Sequence, residues 1–277
     1  MKKNRILTTA MIALGVVVSF TFIFPYLWML SASFRTTEAV LTAPLRLWPE
    51  SFSLSAYRDL AVLAGKPLST YVINSFIITG VSTVFTVFTS MMGAYALTRA
   101  PHLPGFGLLR VGFLLVIMYP YMLLVLPVYI VMFKIGLLGT LTGIILFLSV
   151  GPIQFFLFEQ FFKSIPKEVI EAARMDNASE WAILVKVVAP MSKPVVTTVI
   201  LITVLLNWAQ WFPILVISSS PDTYTLPVAL LSLNSELGVN FQGIMALATL
   251  TTLPVIVVYL LTQRRVMEGM ISGAVKG

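Results

Sequence analysis

The stretch SIPKEVIEAARMDNASEWAILVKVVAP, residues Ser164 to Pro190, decides how this chain is read. It lies between two long apolar segments, yet Lys167, Glu168, Glu171, Arg174 and Asp176 all fall in its first half. Pro166 suits the first turn of a helix, where its missing N–H would be unpaired anyway, and Glu168 suits the positive end of the macrodipole. The spacing predicts a helix over KEVIEAARMD with Ile165, Val169, Ala172 and Ala173 on one face. Asn177 should end it, because Asn tolerates the left-handed backbone of a helix C-terminus better than any residue but Gly. Ser179 can cap a second helix whose Trp181, Leu184, Val185 and Val188 recur at i, i+3, i+4 and i+7. Pro190 and Pro194 should break it. Helix, sharp turn and amphipathic helix fit either a hairpin on the membrane surface or a docking element.

The surroundings are far more apolar. Of 277 residues, 58% are hydrophobic and 10% charged, and the mean hydropathy is +0.96, which places the chain among all-α integral membrane proteins. There is no cysteine and one histidine, His102, so a disulfide framework, a thiolate nucleophile and a metal-ligand cluster have nothing to be built from. Charge-free runs cover residues 6–34, 67–98, 111–133, 135–158, 194–221 and 237–263. Each exceeds the roughly 20 residues that cross a hydrocarbon core about 30 Å thick, so six transmembrane helices are expected. The first run is too long for a signal-peptide core of about 7–15 residues and should be retained.

The net charge of +7 reports orientation rather than nucleic-acid binding. With the N-terminus inside, thirteen of the 18 Lys and Arg residues fall in cytoplasmic segments and five outside. Both termini and the Ser164–Pro190 stretch are then cytoplasmic, and residues 35–66 form a long outer segment of short interfacial pieces. The expected organisation is an N-terminal helix plus outer segment over residues 1–66 and a five-helix core over 67–277, with the charged loop at about 163–194.

Inside the six runs there is no Asp, Glu, Lys or Arg; Glu159 stands just beyond the fourth. Ion-coupled carriers and voltage sensors need ionisable groups at membrane depth, so the chain carries no engine of its own. It has no GxxxxGK[ST] phosphate loop, HExxH pair or GxSxG elbow, so neither ATP hydrolysis nor covalent chemistry is expected of it. No internal repeat supports an inverted-repeat carrier. Breakers are frequent instead: Pro120, Pro127, Gly151-Pro152, Pro213 and Pro254. The fifth run carries LLNWAQWFP. Asn207, Trp208, Gln210 and Trp211 could line a solute pathway, since amides pair with hydroxyls and indole faces pack on sugar rings. The alternative is an interhelical amide hydrogen bond with two interfacial Trp anchors.

EAARMDNAS followed by VVAPMSKP resembles the EAA loop of the permease subunits of ABC importers. Glu171, Ala172, Ala173, Asp176, Ala178 and Pro190 match its pattern. SIPKEVIEAA, TYTLPVAL and the C-terminal QRRVMEGMISGAVKG are similar to further blocks of the carbohydrate-uptake members. The resemblance implies a type I ABC importer permease (MetI-like) fold and a multi-pass protein in the inner membrane of a prokaryote. It implies a second permease subunit, an ATP-binding-cassette ATPase dimer and an extracytoplasmic solute-binding protein. The solute would be a sugar or oligosaccharide. The chain itself would need no cofactor, ATP being used by the partner, and would be a transport subunit rather than an enzyme. Glu171, Ala172, Ala173, Asp176, Asn177 and Ala178 would form a coupling helix seated on the ATPase, and residues 219–242 would face the binding protein. Asn177 stands where the family usually has Gly, and Ala209 departs from the WNxF pattern of carbohydrate permeases. A self-sufficient carrier or channel is the competing reading, and an intramembrane enzyme a third.

Overall fold

The computed structural model describes residues 2–49, 52–99, 104–236 and 240–274. His102 and Lys276 lie outside them, as do residues 237–239 of the expected binding-protein face. The described residues are helical apart from loops and one two-stranded antiparallel hairpin. They form two compact units: Met1–Ser69 with Ala229–Pro254, and Thr70–Val228 with Val255–Gly277.

In the first unit, α1 (Lys2–Ser33) is followed by α2 (Thr37–Thr42), α3 (Ser55–Asp59) and the hairpin β1 (Val62–Leu63) and β2 (Lys66–Pro67). The hairpin turns on Ala64 and Gly65, both at positive φ. Thr36 caps α2 by accepting from the Ala39 amide. The expected short pieces between the first two spans are therefore real elements.

The second unit begins within α4 (Leu68–Arg99). It continues through α5 (Phe106–Met118), α6 (Tyr121–Lys134), α7 (Leu141–Leu148), α8 (Pro152–Lys163), α9 (Lys167–Met175), α10 (Glu180–Ile183), α11 (Ala189–Met191), α12 (Lys193–Trp208) and α13 (Phe212–Ile217). A 3-10 turn at Pro221–Thr223 leads to α14 (Leu226–Glu236), and α15 (Phe241–Ala274) closes the chain. Among the described residues three helices are long and apolar enough to cross a membrane uninterrupted: Leu7–Ser33, Leu68–Arg99 and Phe241–Gln263.

The other apolar runs differ from the continuous helices expected of them. α5 and α6 meet at 116° and α7 and α8 at 40°. Pro120 and the Gly151-Pro152 pair stand at these breaks, because proline has no N–H for the helical ladder and clashes with the preceding turn. Pro127 and Pro254, by contrast, stay inside α6 and α15. The fifth run is α12 plus α13, interrupted at Ala209–Trp211. Residues Glu180–Met191 and α12 form a third bent pair, meeting at 82°, and up to six spans result if that pair, α5–α6 and α7–α8 each count as one.

Two carbonyls flanking the α7–α8 break accept from α4, that of Gly151 in addition to the Phe155 amide at 2.9 Å. Thr86 donates its hydroxyl to the Leu148 carbonyl at 3.2 Å, and Ser90 donates to the Gly151 carbonyl at 3.2 Å. Such substitution of side-chain hydroxyls for the lost ladder lets irregular backbone persist away from water. Glu159 of α8, 3% exposed, accepts from Arg110 of α5 at 3.3 Å and Lys163 at 2.9 Å. It thus pins α5 to α8 at the end of the fourth run.

Candidate functional site

The charged stretch folds as its sequence suggested, as α9, a tight turn and α10. The turn is a Schellman motif. Asn177 has φ +57°, its amide donates to the Arg174 carbonyl at 3.0 Å, and the Ala178 amide donates to the Ala173 carbonyl at 3.1 Å. Ala173 and Ala178 pack together against one apolar cluster, the hydrophobic contact that accompanies this motif. Ser179 then accepts from the Ala182 amide at 3.2 Å and caps α10.

Which side of each helix faces inward differs from the simple periodicity. In the first helix Ile170 is buried with Ile165, Ala173 is half-buried, and Ala172 is exposed. In the second, Ile183, Leu184 and Val188 are buried, whereas Trp181 and Val185 are exposed. A π-helical turn at Leu184–Val188 joins α10 to α11. Ile183, Leu184 and Val188 still recur at helical spacing, on a face rotated away from Trp181 and Val185. Trp181 instead meets Phe88 edge-on at 6.3 Å.

The buried residues join a cluster containing Phe155, Phe158 and Phe162 of α8, Tyr95 of α4 and Val199 of α12. Removing a side chain such as Ile170 from water contributes about 2–3 kcal/mol, enough to hold a nine-residue helix that would not persist alone. The outward edge is polar: Glu171, Asp176 and Asn177 are exposed beside Ala172. The six residues Glu171, Ala172, Ala173, Asp176, Asn177 and Ala178 thus divide into an outward group of four and two inward alanines.

Glu180 was not singled out from the sequence. Its carboxylate accepts from the Tyr95 hydroxyl at 2.5 Å and from Arg174 Nε at 2.9 Å, with a second contact to the guanidinium at 2.7 Å. It therefore ties α4, α9 and α10 together. The Tyr95 hydrogen bond first, and then the hydrogen bond and charge of Arg174, hold its carboxyl below the usual glutamate range. An Arg and a Glu six residues apart across a predicted turn were the available signal; Tyr95 is distant in sequence. Arg99 donates to the Phe162 carbonyl at 3.4 Å, in the last turn of α8, where a cation suits the helix dipole.

The residues read as a solute pathway are not brought together into one lining. Asn207 is buried and donates to Ser82 Oγ at 2.8 Å and toward the Leu148 carbonyl at 3.5 Å, an interhelical bond. Trp208 is buried edge-on to Phe76 at 5.2 Å. Gln210 and Trp211 follow the end of α12: Gln210 is half-buried, and Trp211 is exposed beside Phe212. No group of three or more potential metal ligands occurs among the described residues.

The profile of the family described as binding-protein-dependent transport system inner membrane component matches residues 87–271. The chain is 32% identical over 257 residues to the trehalose transport system permease protein SugB of Mycobacterium tuberculosis, covering 91% of this chain and 92% of that one. It is 30% identical over 262 residues to the arabinooligosaccharides transport system permease protein AraQ of Halalkalibacterium halodurans, covering 94% and 93%. Its fold matches a chain in the crystal structure of a bacterial ABC transporter involved in import of the acidic polysaccharide alginate. The TM-score is 0.80 at 24% identity, over 95% of this chain and 98% of that one. Sequence match and fold agree: this chain belongs to the binding-protein-dependent transport system inner membrane components, the permeases of ABC transporters.

Proposed function

We propose that the chain is a transmembrane permease subunit of an ATP-driven, binding-protein-dependent importer of a sugar or oligosaccharide. ATP would be used by a partner ATPase dimer that docks on α9 from the cytoplasm. One observation carries the docking role. The exposed edge of α9 bears Glu171, Ala172, Asp176 and Asn177, while its inner face is seated in the cluster shared with α4, α8 and α12. A push on the outer edge is therefore delivered to apolar helices through close-packed side chains, which transmit displacement because interiors compress little. Solute class rests on relatives named for trehalose and arabinooligosaccharide transport.

The remaining assignments follow from that reading. A second permease subunit completes the pathway, both termini lie inside, and a solute-binding protein delivers the solute from the outer side. Gln210 and Trp211, at the break between α12 and α13, are the pathway residues left available to solute, with Asn207 and Trp208 fixing the break from within.

The test uses the chain co-expressed with its co-purifying ATPase in proteoliposomes. Glu171→Ala is expected to leave insertion intact and ATP hydrolysis measurable, and to lower solute uptake tenfold or more, as losing an interface hot spot of about 2 kcal/mol would. Normal uptake in that variant would remove the docking role from this helix.

A further inference from the structure

The segment that follows α1 folds back along it instead of leaving it. The indole N–H of Trp28 donates to the Pro44 carbonyl, and the Ser31 hydroxyl donates to the Leu47 carbonyl. Trp28 and Ser31 precede the end of α1 at Ser33 by roughly 8 and 3 Å, at ~1.5 Å rise per residue. Pro44 and Leu47 are therefore held level with the last turns of an apolar, membrane-length helix.

Backbone at that depth must find partners other than water. Turns within the segment supply some of them, and Arg35, 3% exposed, adds more. Its guanidinium donates to the carbonyls of Arg46 at 2.7 Å, Ala43 at 2.8 Å and Ala39. The planar fork of donors lets a single side chain reach three carbonyls at once, adding second bonds to those of Ala39 and Ala43, which also take the Ala43 and Arg46 amides at 3.3 and 3.2 Å. From the other end, the Ser53 amide donates to the Phe34 carbonyl at 2.9 Å.

The side chains turned away from this clip are apolar. Leu45 is 83% exposed and Trp48 76% exposed, and Leu41 and Phe52 are exposed with them. Tyr26, Leu27 and Leu30 on α1 are also exposed, so the apolar surface of the spanning helix runs on into the segment. Exposed Glu38 and Arg46 set the depth, since charges are costly in hydrocarbon but not among headgroups.

We infer that residues 36–49 form a monotopic strap lying in the outer headgroup layer of the bilayer. Leu41, Leu45 and Trp48 enter the acyl boundary, and Arg35 is the internal clip that binds the strap's carbonyls together there. The partner is the lipid surface, which Trp and Leu on a short amphipathic piece recognise by their apolar bodies at about 5–10 Å depth. The strap sets the depth of α1 and does not depend on ATP, on a solute or on the import reading.

The absence of cysteine makes the test direct. Nitroxide labels are placed at Glu38→Cys, Leu45→Cys and Trp48→Cys, and at Leu14→Cys on α1 as reference. The full chain is reconstituted in vesicles of phosphatidylethanolamine and phosphatidylglycerol. Collision rates are then compared for oxygen, which partitions into lipid, and for a water-soluble nickel chelate. The labels at 45 and 48 should favour oxygen and the label at 38 nickel. Arg35→Lys, which keeps the charge but loses the fork, should move the labels at 45 and 48 toward nickel while the reference stays unchanged. Labels at 45 and 48 that favour nickel in the otherwise unaltered chain would overturn the proposal. So would labels there that become shielded only when a solute-binding protein is added, because the surface would then be a protein-docking face.

Discussion

Asn177 is the residue on which the α9–α10 hairpin turns. Its φ of +57° costs a side chain with a Cβ about 1 kcal/mol or more, a cost Gly avoids and Asn reduces. Asn177→Ala should therefore lower the thermal unfolding midpoint of the detergent-solubilised chain, whereas Asn177→Gly should match or exceed the unsubstituted protein. Glu180 is the second determinant. Because its folded-state pKa is depressed, its contribution is fully present above the ordinary glutamate value of about 4.3 and is lost as pH falls through the lower folded value. A thermal-shift series on the acid side should show this loss, and Glu180→Gln should flatten it. Half of that joint was legible: Asn177 and Ser179 have strictly local roles, whereas the Tyr95 hydroxyl reaches Glu180 across 85 residues.

At the scale of elements, the broken fourth span depends on close approach. A Cβ on Gly151 would stand 2.4 Å from Thr86 Cγ2 and 2.7 Å from Gln154 Oε1, so Gly151→Ala must shift the Thr86 and Gln154 side chains or α4 itself. A loss of about 1–3 kcal/mol is expected from such overpacking, measurable as a lower unfolding midpoint. Thr86→Val removes the donor to the Leu148 carbonyl but nearly keeps the volume. The cost there should be about 0.6–1 kcal/mol, as for other hydrogen bonds between membrane helices. Pro120 and Gly151-Pro152 marked where helices break, because the missing N–H is a property of the residue itself. The size of each bend could not be read, since 116° and 40° arise at similar breaker sequences and depend on what packs across the gap. The same limit explains the inward faces of α9 and α10: Ile170 and the π-turn stripe were chosen by the Phe155–Phe158–Phe162 cluster.

For the whole molecule, the competing reading of a self-sufficient carrier makes an opposite expectation. Reconstituted without partner subunits, the chain should give no sugar flux above that of empty vesicles, with or without ATP. Saturable flux from the chain alone would favour the carrier. The membrane class, the three uninterrupted spans and the charged hairpin were legible in composition and local pattern. Apolar runs and their breakers are set by solvation and backbone sterics, which act residue by residue. Tertiary structure decided what required distant partners. It made Asn207 an interhelical donor to Ser82 and Glu180 the junction of three helices. A polar side chain in an apolar setting must find a partner, and which partner it finds is fixed only when remote segments are packed against it.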